Sequence, residues 1–216
     1  MYQKQHTLQA SVSFEGIGLH SGQPAQLSIL PAEEHHGFVF QRMDVEGEPL
    51  IPATLGNAVE SLRATRLAAN GTSVDQVEHV LSALAGMQID NALLQLNGPE
   101  VPILDGSSSE FVQGIQRVGT QEQTANREFL VIEEPIHYYD VKLNIDMSAF
   151  PYDDFRVTVM VDYDSKVLGP QHATMVNIED YPADIATNRT FAFLHELKPM
   201  FDAGLIKGGS LENALV

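Results

Sequence analysis

The amino-acid sequence predicts an α+β fold in which helices pack on one face of a sheet. Segments of alternating apolar and polar residues come before segments with apolar residues at helical spacing, and this order occurs in both halves of the 216 residues. The apolar fraction of 44% and the charged fraction of 19% are those of an ordinary globular protein. A chain of this length can form one large hydrophobic core or two smaller ones.

Strands dominate the first part of the chain. Apolar and polar residues alternate from Leu8 to Phe14, which predicts a half-buried strand. Asn70-Gly71 predicts the tight turn of a hairpin within residues 63–74. A tight loop is predicted over residues 16–22, and further strands are predicted over residues 26–30, 37–41 and 91–96.

Two helices of the first half are predicted from their ends. A serine followed three residues later by Gln or Glu forms a capping box, and this pattern places helix starts at Ser73 and Ser107. Apolar residues then recur at helical spacing in both segments. Glycines suited to end a helix follow at Gly86 and Gly119.

The second half repeats the order of strands and helix. Residues 120–127 are polar and predict a linker, so that domains are expected at residues 1–122 and 128–216. A helix is predicted over residues 194–203, with Pro199 at a kink or start. Strands are predicted over residues 129–132, 141–145 and 155–161.

Composition excludes several classes of function. The 12 basic and 29 acidic residues give a net charge of −17, which repels polyanions, so no nucleic-acid binding is predicted. Because the chain has no cysteine, any metal ligand must be His, Asp or Glu. The sequence shows neither an apolar run of the roughly 18 residues that a membrane span needs nor a signal peptide, which predicts a cytoplasmic protein.

One pair of neighbouring residues, Glu78-His79, suggests chemistry. Successive helical residues point about 100° apart, so the two side chains can reach one pocket without overlapping. A His that binds zinc, beside a Glu that takes a proton from the zinc-bound water, is a workable catalytic pairing. On its own the dipeptide is more typical of a solvated helix face.

The flanking sequence carries a resemblance. Residues 73–86, SVDQVEHVLSALAG, resemble the zinc-site helix of the UDP-3-O-acyl-N-acetylglucosamine deacetylases, which are zinc enzymes of bacterial lipid A synthesis. Three further stretches are similar to that family, occur in its order and spread over nearly the whole chain. They are residues 16–22, residues 97–107, and residues 188–191 together with 204–216.

The resemblance implies both a fold and a mechanism. Two similar two-layer domains would face each other across the site. His79 would be a zinc ligand and Glu78 the base that deprotonates the zinc-bound water. The Thr190 hydroxyl would stabilise the oxyanion, and Phe191 would lie against the sugar. Without the resemblance, Thr190 would be interpreted as a turn or cap residue.

The resemblance also implies an apolar passage for the acyl chain of the substrate. Residues 193–216 resemble an inserted strand-helix-strand that forms this passage in the family, and residues 62–67 fall where an insert of the first domain approaches the site. By default the apolar residues involved would be ordinary core. The residues expected to line the passage are Leu19, Leu197, Ile206, Leu211, Ala214 and Val216.

The chain departs from the family pattern in its metal ligands. The family has a further His and Asp in a His-Lys-x-x-x-Asp segment, and this pair is absent here. The nearest histidines, at 35–36 and 172, lie in other sequence contexts. Because that segment would follow Val216, we expect a truncated chain with an incomplete second domain, inactive on its own.

Residues 194–197 and 205–209 are similar to deacetylases fused to a β-hydroxyacyl carrier-protein dehydratase. Two alternatives to a deacetylase remain at this stage. One is a non-catalytic binding module on the same scaffold, and the other is an RNA-binding α/β sandwich, which the acidic charge disfavours. Neither acyl length nor oligomeric state can be predicted from the sequence.

Overall fold

The computed structural model describes residues 3–163, 165 and 168–216. They form a mixed α+β fold, as the sequence predicts. We refer to residues 3–126 as the first region and to the described residues from 127 onward as the second region. No helix within the described residues is long and apolar enough to cross a membrane.

The first region contains ten strands and two α-helices among its described residues. The elements are β1 (Lys4–Leu8), β2 (Val12–Ile17), β3 (Pro24–Pro31), β4 (Phe38–Arg42), β5 (Leu50–Pro52), β6 (Ala58–Val59), β7 (Arg66–Ala69), β8 (Thr72–Asp75), α1 (Glu78–Gly86), β9 (Ala92–Leu96), α2 (Ser109–Val118) and β10 (Thr120–Asn126).

A five-stranded sheet in the order β2-β3-β9-β4-β5 forms the centre of the first region. The β4–β9 pair is parallel and the other pairs are antiparallel. Alternate residues of β3 and β9, such as Leu27 and Leu94, are fully buried. Helix α2 covers β2, and the rings of Phe14 and Phe111 meet edge to face with centroids 4.9 Å apart.

The predicted hairpin at Asn70-Gly71 is confirmed. Strands β7 and β8 pair antiparallel across these two residues. Asn70 has φ of 51° and Gly71 has φ of 75°, the left-handed conformation that a two-residue hairpin turn requires. This hairpin and β6 form a three-stranded sheet that leads directly into α1.

The predicted helix start at Ser73 is wrong, because this residue lies in β8. Residues 72–75 pair with β7, and the Asp75 amide donates to Pro99 O at 2.8 Å. Gln76 has φ of 62°, which no helical residue adopts, so the capping box cannot form. Helix α1 therefore begins at Glu78. The predicted ends of the two helices hold, since α1 ends at Gly86 and Gly119 follows α2.

The linker predicted over residues 120–127 is also wrong. Residues 120–126 form β10, which pairs antiparallel with β1. The Lys4 ammonium donates to Thr124 O at 2.6 Å and to the Asn126 side chain at 2.9 Å. A polar strand is stable here because backbone hydrogen bonds, rather than apolar burial, define the pair. The domain limits at 122 and 128 remain a prediction.

The second region has a looser arrangement. Its elements are β11 (Ile136–Asp140), β12 (Ile145–Ala149), β13 (Val157–Val161), β14 (Gln171–Met175), α3 (Tyr181–Asp184) and α4 (Leu194–Asp202). The strands form two separate antiparallel hairpins, β11–β12 and β13–β14. Helix α4 and strand β13 confirm the predictions for those segments.

Two strands predicted in the second region are wrong. Residues 129–132 form no strand, and residues 141–144 are the turn of the β11–β12 hairpin. Asp140 explains this turn, because its Oδ1 accepts the amides of Lys142 and Leu143 at 2.8 and 3.0 Å. Asn144 completes the turn with φ of 52°.

Candidate functional site

Glu78 is the first residue of α1, where the helix amides stabilise negative charge. Its carboxylate is held from two sides. Oε2 accepts the Thr65 amide at 3.1 Å, and Oε1 accepts the Gln76 side-chain amide at 3.3 Å. The position of Gln76 between β8 and α1 thus holds this half-buried carboxylate at the start of the helix.

His79 follows on α1 and is half-buried. Burial lowers the pKa of its imidazole, while the carboxylates of Glu78 and Asp105 act in the opposite direction. The net result favours the neutral imidazole, which is the form that binds a metal ion. The carboxylate of Asp105 therefore acts electrostatically on the His79 ring.

Residues 105–108, which we call the linking turn, join α1 to the second region. On one side the Ser108 hydroxyl donates to His79 O at 3.0 Å. On the other side the Thr190 amide donates to Gly106 O at 2.7 Å, and Arg189 Nε donates to Asp105 O at 2.7 Å. His79 and Thr190 are thus tied to one four-residue turn, and Glu78 precedes His79 on α1.

Gly106 allows this close approach. Its φ is 82°, and an added Cβ would lie 2.0 Å from Asn213 O and 3.3 Å from Thr190 Cγ2. Only glycine fits both the conformation and the space. The segment carrying Thr190 is held from the other side by Leu215, whose amide donates to Thr190 O at 3.0 Å.

Phe191 is 44% exposed and belongs to a group of aromatic rings next to Thr190. Its ring meets that of Tyr163 edge to face at a centroid distance of 5.3 Å, and that of Phe193 at 5.9 Å. The exposed part of this side chain is accessible to a ligand. No sequence pattern predicted the participation of Tyr163.

The residues predicted to line an apolar passage are brought together only in part. Leu19 and Ile206 are buried in one small cluster with Ile103 and Met200, and Leu197 packs against it. Two other predicted residues lie outside this cluster and are exposed, and Ala214 is half-buried without joining it. The exposed ones are Leu211, at 76%, and Val216, at 61%.

An open cavity of about 420 Å³ lies beside this cluster. His20 and Leu205 line it from one side, and Leu62 and Arg66 line it from the segment that was expected to approach the site. His20 Nε2 lies 3.4 Å from Arg63 O. Arg63 also forms an ion pair with Glu196 of α4, so this segment contacts both regions.

The described part of the chain contains no group of three His, Cys, Asp or Glu side chains that could hold a metal ion. His79 is suited to be one ligand, but these residues do not form a complete three-ligand site. Two of the other histidines lie in different surroundings. His35 contacts the Gln5 side chain at 3.1 Å, and His172 pairs with Met160 in the β13–β14 hairpin.

The fold and these contacts define an α+β protein in which a helix-borne Glu-His pair and a loop of the second region meet at one turn. The sequence profile of the family "LpxC: UDP-3-O-acyl N-acetylglycosamine deacetylase" matches residues 5–216. The chain therefore belongs to this family, as its resemblance predicts.

Individual relatives support the assignment. A bifunctional enzyme LpxC/FabZ of Bacteroides thetaiotaomicron is 44% identical over 99% of this chain and 46% of its own length. The UDP-3-O-acyl-N-acetylglucosamine deacetylase of Thermosynechococcus vestitus is 42% identical over 98% of this chain and 73% of its own length. The deacetylase of Anaeromyxobacter is 41% identical over the whole chain. The chain thus spans just under half of the bifunctional relatives and about 70% of the single-function ones.

Proposed function

We propose that the whole protein hydrolyses the acetamide of UDP-3-O-acyl-N-acetylglucosamine, releasing acetate, as a zinc-dependent cytoplasmic enzyme of lipid A synthesis. Membership of the deacetylase family supports the reaction and the substrate class. The single observation that carries the proposal is the linking turn, which holds His79, the neighbour of Glu78 on α1, on one side and Thr190 on the other.

Zinc is the cofactor we propose, with His79 as one ligand. Bound zinc would polarise the amide carbonyl and lower the pKa of a water molecule. The neutral His79 imidazole suits a ligand, and the nearby Asp105 carboxylate suits the positive charge of the ion. Because the described residues lack a three-ligand group, we also propose that residues 1–216 alone are inactive.

The residues present have distinct roles in this proposal. Glu78, fixed by the Thr65 amide, would accept the proton of the attacking water. The Thr190 hydroxyl would donate to the oxyanion that develops on the acetamide carbonyl. Phe191, which is 44% exposed, would lie against the sugar.

The acyl chain of the substrate would occupy a passage between the two regions. The cluster of Leu19, Leu197 and Ile206 supports this, since it offers apolar side chains from both regions at one place. In this proposal Leu211, Ala214 and Val216 would complete the passage from the last residues of the chain. Residues 194–197 and 205–209 are similar to deacetylases that are fused to a dehydratase. Relatives that are named bifunctional LpxC/FabZ enzymes support this similarity.

Acetate release from UDP-3-O-acyl-N-acetylglucosamine tests the proposal. We expect the whole protein loaded with zinc to release acetate, to stop after chelation and to recover when zinc is restored. UDP-N-acetylglucosamine without the acyl chain should be a far poorer substrate. Acetate release that is unchanged by chelation would contradict the zinc proposal. The absence of acetate release from the zinc-loaded protein would contradict the proposed function.

A further inference from the structure

Glu100 is a buried carboxylate that the proposed mechanism does not use. It is 4% exposed, and no Lys, Arg or His of the described residues forms an ion pair with it. Its backbone is fixed by a bridge to Asp75, and the neighbouring Val101 amide donates to Asp75 O at 3.0 Å. A buried charge of this kind is tolerated only where hydrogen bonds replace its hydration.

Those hydrogen bonds come from residues 18–22, which we call the Leu19 loop. Oε1 of Glu100 accepts the His20 amide at 2.7 Å, and Oε2 accepts the Ser21 amide at 2.9 Å. The fit is close, since a Cβ on Gly18 would lie 2.2 Å from Oε2. The loop closes on itself through the Gly22 amide, which donates to Gly18 O at 2.9 Å.

The other face of the Leu19 loop meets the second region. Leu19 O accepts the Gly208 amide at 3.0 Å, and His20 O accepts the Lys207 amide at 3.3 Å. The Leu19 side chain packs with Met200 and Ile206. The two amides that Glu100 binds thus belong to the same short loop as the carbonyls that contact residues 207–208.

We propose that Glu100 is a positioning residue that holds the Leu19 loop as one wall of the acyl-chain passage, and that it thereby sets selectivity for long acyl chains. The inference rests on the proposed function for the identity of the ligand. The geometry of the loop does not depend on the proposed function. Glu100 acts through Leu19 and does not touch the reacting atoms.

Glu100→Gln is the most specific variant because it replaces one carboxylate oxygen with an NH₂ group. Each carboxylate oxygen accepts one amide, whereas a Gln side chain presents an oxygen to one amide and an NH₂ group to the other. One of the two hydrogen bonds is therefore lost at nearly constant volume. The loop should become mobile without loss of the fold.

Glu34→Gln is the matched control. Glu34 also binds backbone amides, because its Oε1 accepts Thr124 N at 2.6 Å and Ala125 N at 3.0 Å. It stabilises the β10 edge and contacts none of the residues of the proposed passage. Because both amides bind the same oxygen, a Gln side chain can keep these hydrogen bonds, so Glu34→Gln controls for the loss of a carboxylate charge alone.

The first readout is amide hydrogen exchange, which requires no activity. We expect exchange at His20 and Ser21 to be about tenfold faster in Glu100→Gln than in wild type, and unchanged in Glu34→Gln. Unchanged exchange in Glu100→Gln would overturn the role of the carboxylate in the loop.

The second readout compares tetradecanoyl and butanoyl forms of the substrate in the whole zinc-loaded protein. We expect Glu100→Gln to lower the long-to-short ratio of kcat/KM by about tenfold, through KM and with kcat nearly constant. An equal loss for both substrates, or a loss in kcat alone, would overturn the proposal. A wild-type protein without deacetylase activity would instead overturn the proposed function, while amide exchange would still test the loop.

Discussion

The same alternating sequence pattern has different outcomes in the two regions of the molecule. In the first region, the apolar residues of β3 and β9, such as Ile29 and Leu96, are fully buried in the core. In the second region, Val159 of β13 is 51% exposed and Met160 is 78% exposed. Alternation therefore establishes that a segment is a strand, and the elements packed on it determine whether its apolar face is buried.

The core shows the same contrast. The large cluster of buried apolar residues comes almost wholly from the first region. The second region contributes only three of its buried described members, Met175, Tyr181 and Ala186. The first region is thus expected to determine stability, and the second region to contribute through contacts at α1 and at the linking turn.

Removing a large side chain from the first region should have the largest effect on stability. Phe111 is fully buried and its ring contacts Phe14. We expect Phe111→Ala to lower the free energy of unfolding by about 3–5 kcal/mol, measured by denaturant titration. A loss below about 1 kcal/mol would contradict a core centred on the first region.

The matched substitution in the second region is Val159→Ala. Because half of this side chain is exposed, we expect a change within about 0.5 kcal/mol in the same titration. A loss above about 2 kcal/mol would mean that the β13 face is covered in solution, and the contrast between the two regions would fail.

The contact between the regions at Gly86 should have an intermediate effect. A Cβ on Gly86 would lie 2.1 Å from the Tyr181 ring, whose hydroxyl is 2.5 Å from Ser82 Oγ. Gly86→Ala gains about 1 kcal/mol in helix propensity, but the clash costs about 1–3 kcal/mol, so we expect net destabilisation. In a Tyr181→Ala background the same change should be neutral or stabilising. A double-mutant cycle without this coupling would contradict the contact.

The ion pair between Arg63 and Glu196 should also have a small effect. The pKa of Glu196 lies below its ordinary value because the Phe193 amide and the Arg63 guanidinium both favour the carboxylate. The Glu196 carboxylate therefore contributes to the free energy of unfolding above the ordinary pKa of 4.5. This contribution is lost as the pH falls through the lower folded-state pKa. We expect Glu196→Gln to cost less than about 1 kcal/mol near neutral pH, and less still in high salt. A cost that persists at acidic pH would contradict this assignment.

Local patterns could predict much of the first region. The hairpin at Asn70-Gly71 and the helix end at Gly119 follow from backbone preferences of the residues themselves. The predictions that were wrong concern segments whose structure is determined by pairing with a distant strand. The serine pattern at Ser73 is overridden by pairing of β8 with β7, and the polar β10 is a strand only because β1 lies beside it.

The candidate site could be predicted only in part for the same reason. Glu78 and His79 share a helix, so their proximity follows from the sequence once that helix is recognised. The approach of Asp105 to His79 and the hydrogen bond from Thr190 to Gly106 join segments distant in the chain. No local pattern encodes such contacts, and only the family resemblance suggested Thr190.

The central claim is that Glu78 of the first region and Thr190 of the second act in one site. The most direct test is kcat of the whole zinc-loaded protein carrying Glu78→Gln, Thr190→Val or both, with Thr187→Val, an exposed threonine of the same segment, as control. We expect losses of about 10²–10⁴ for Glu78→Gln and about 10²–10³ for Thr190→Val. The double variant should lose less than the product of the two, and Thr187→Val should be unchanged. Wild-type kcat in Thr190→Val would contradict the claim that both regions form the site.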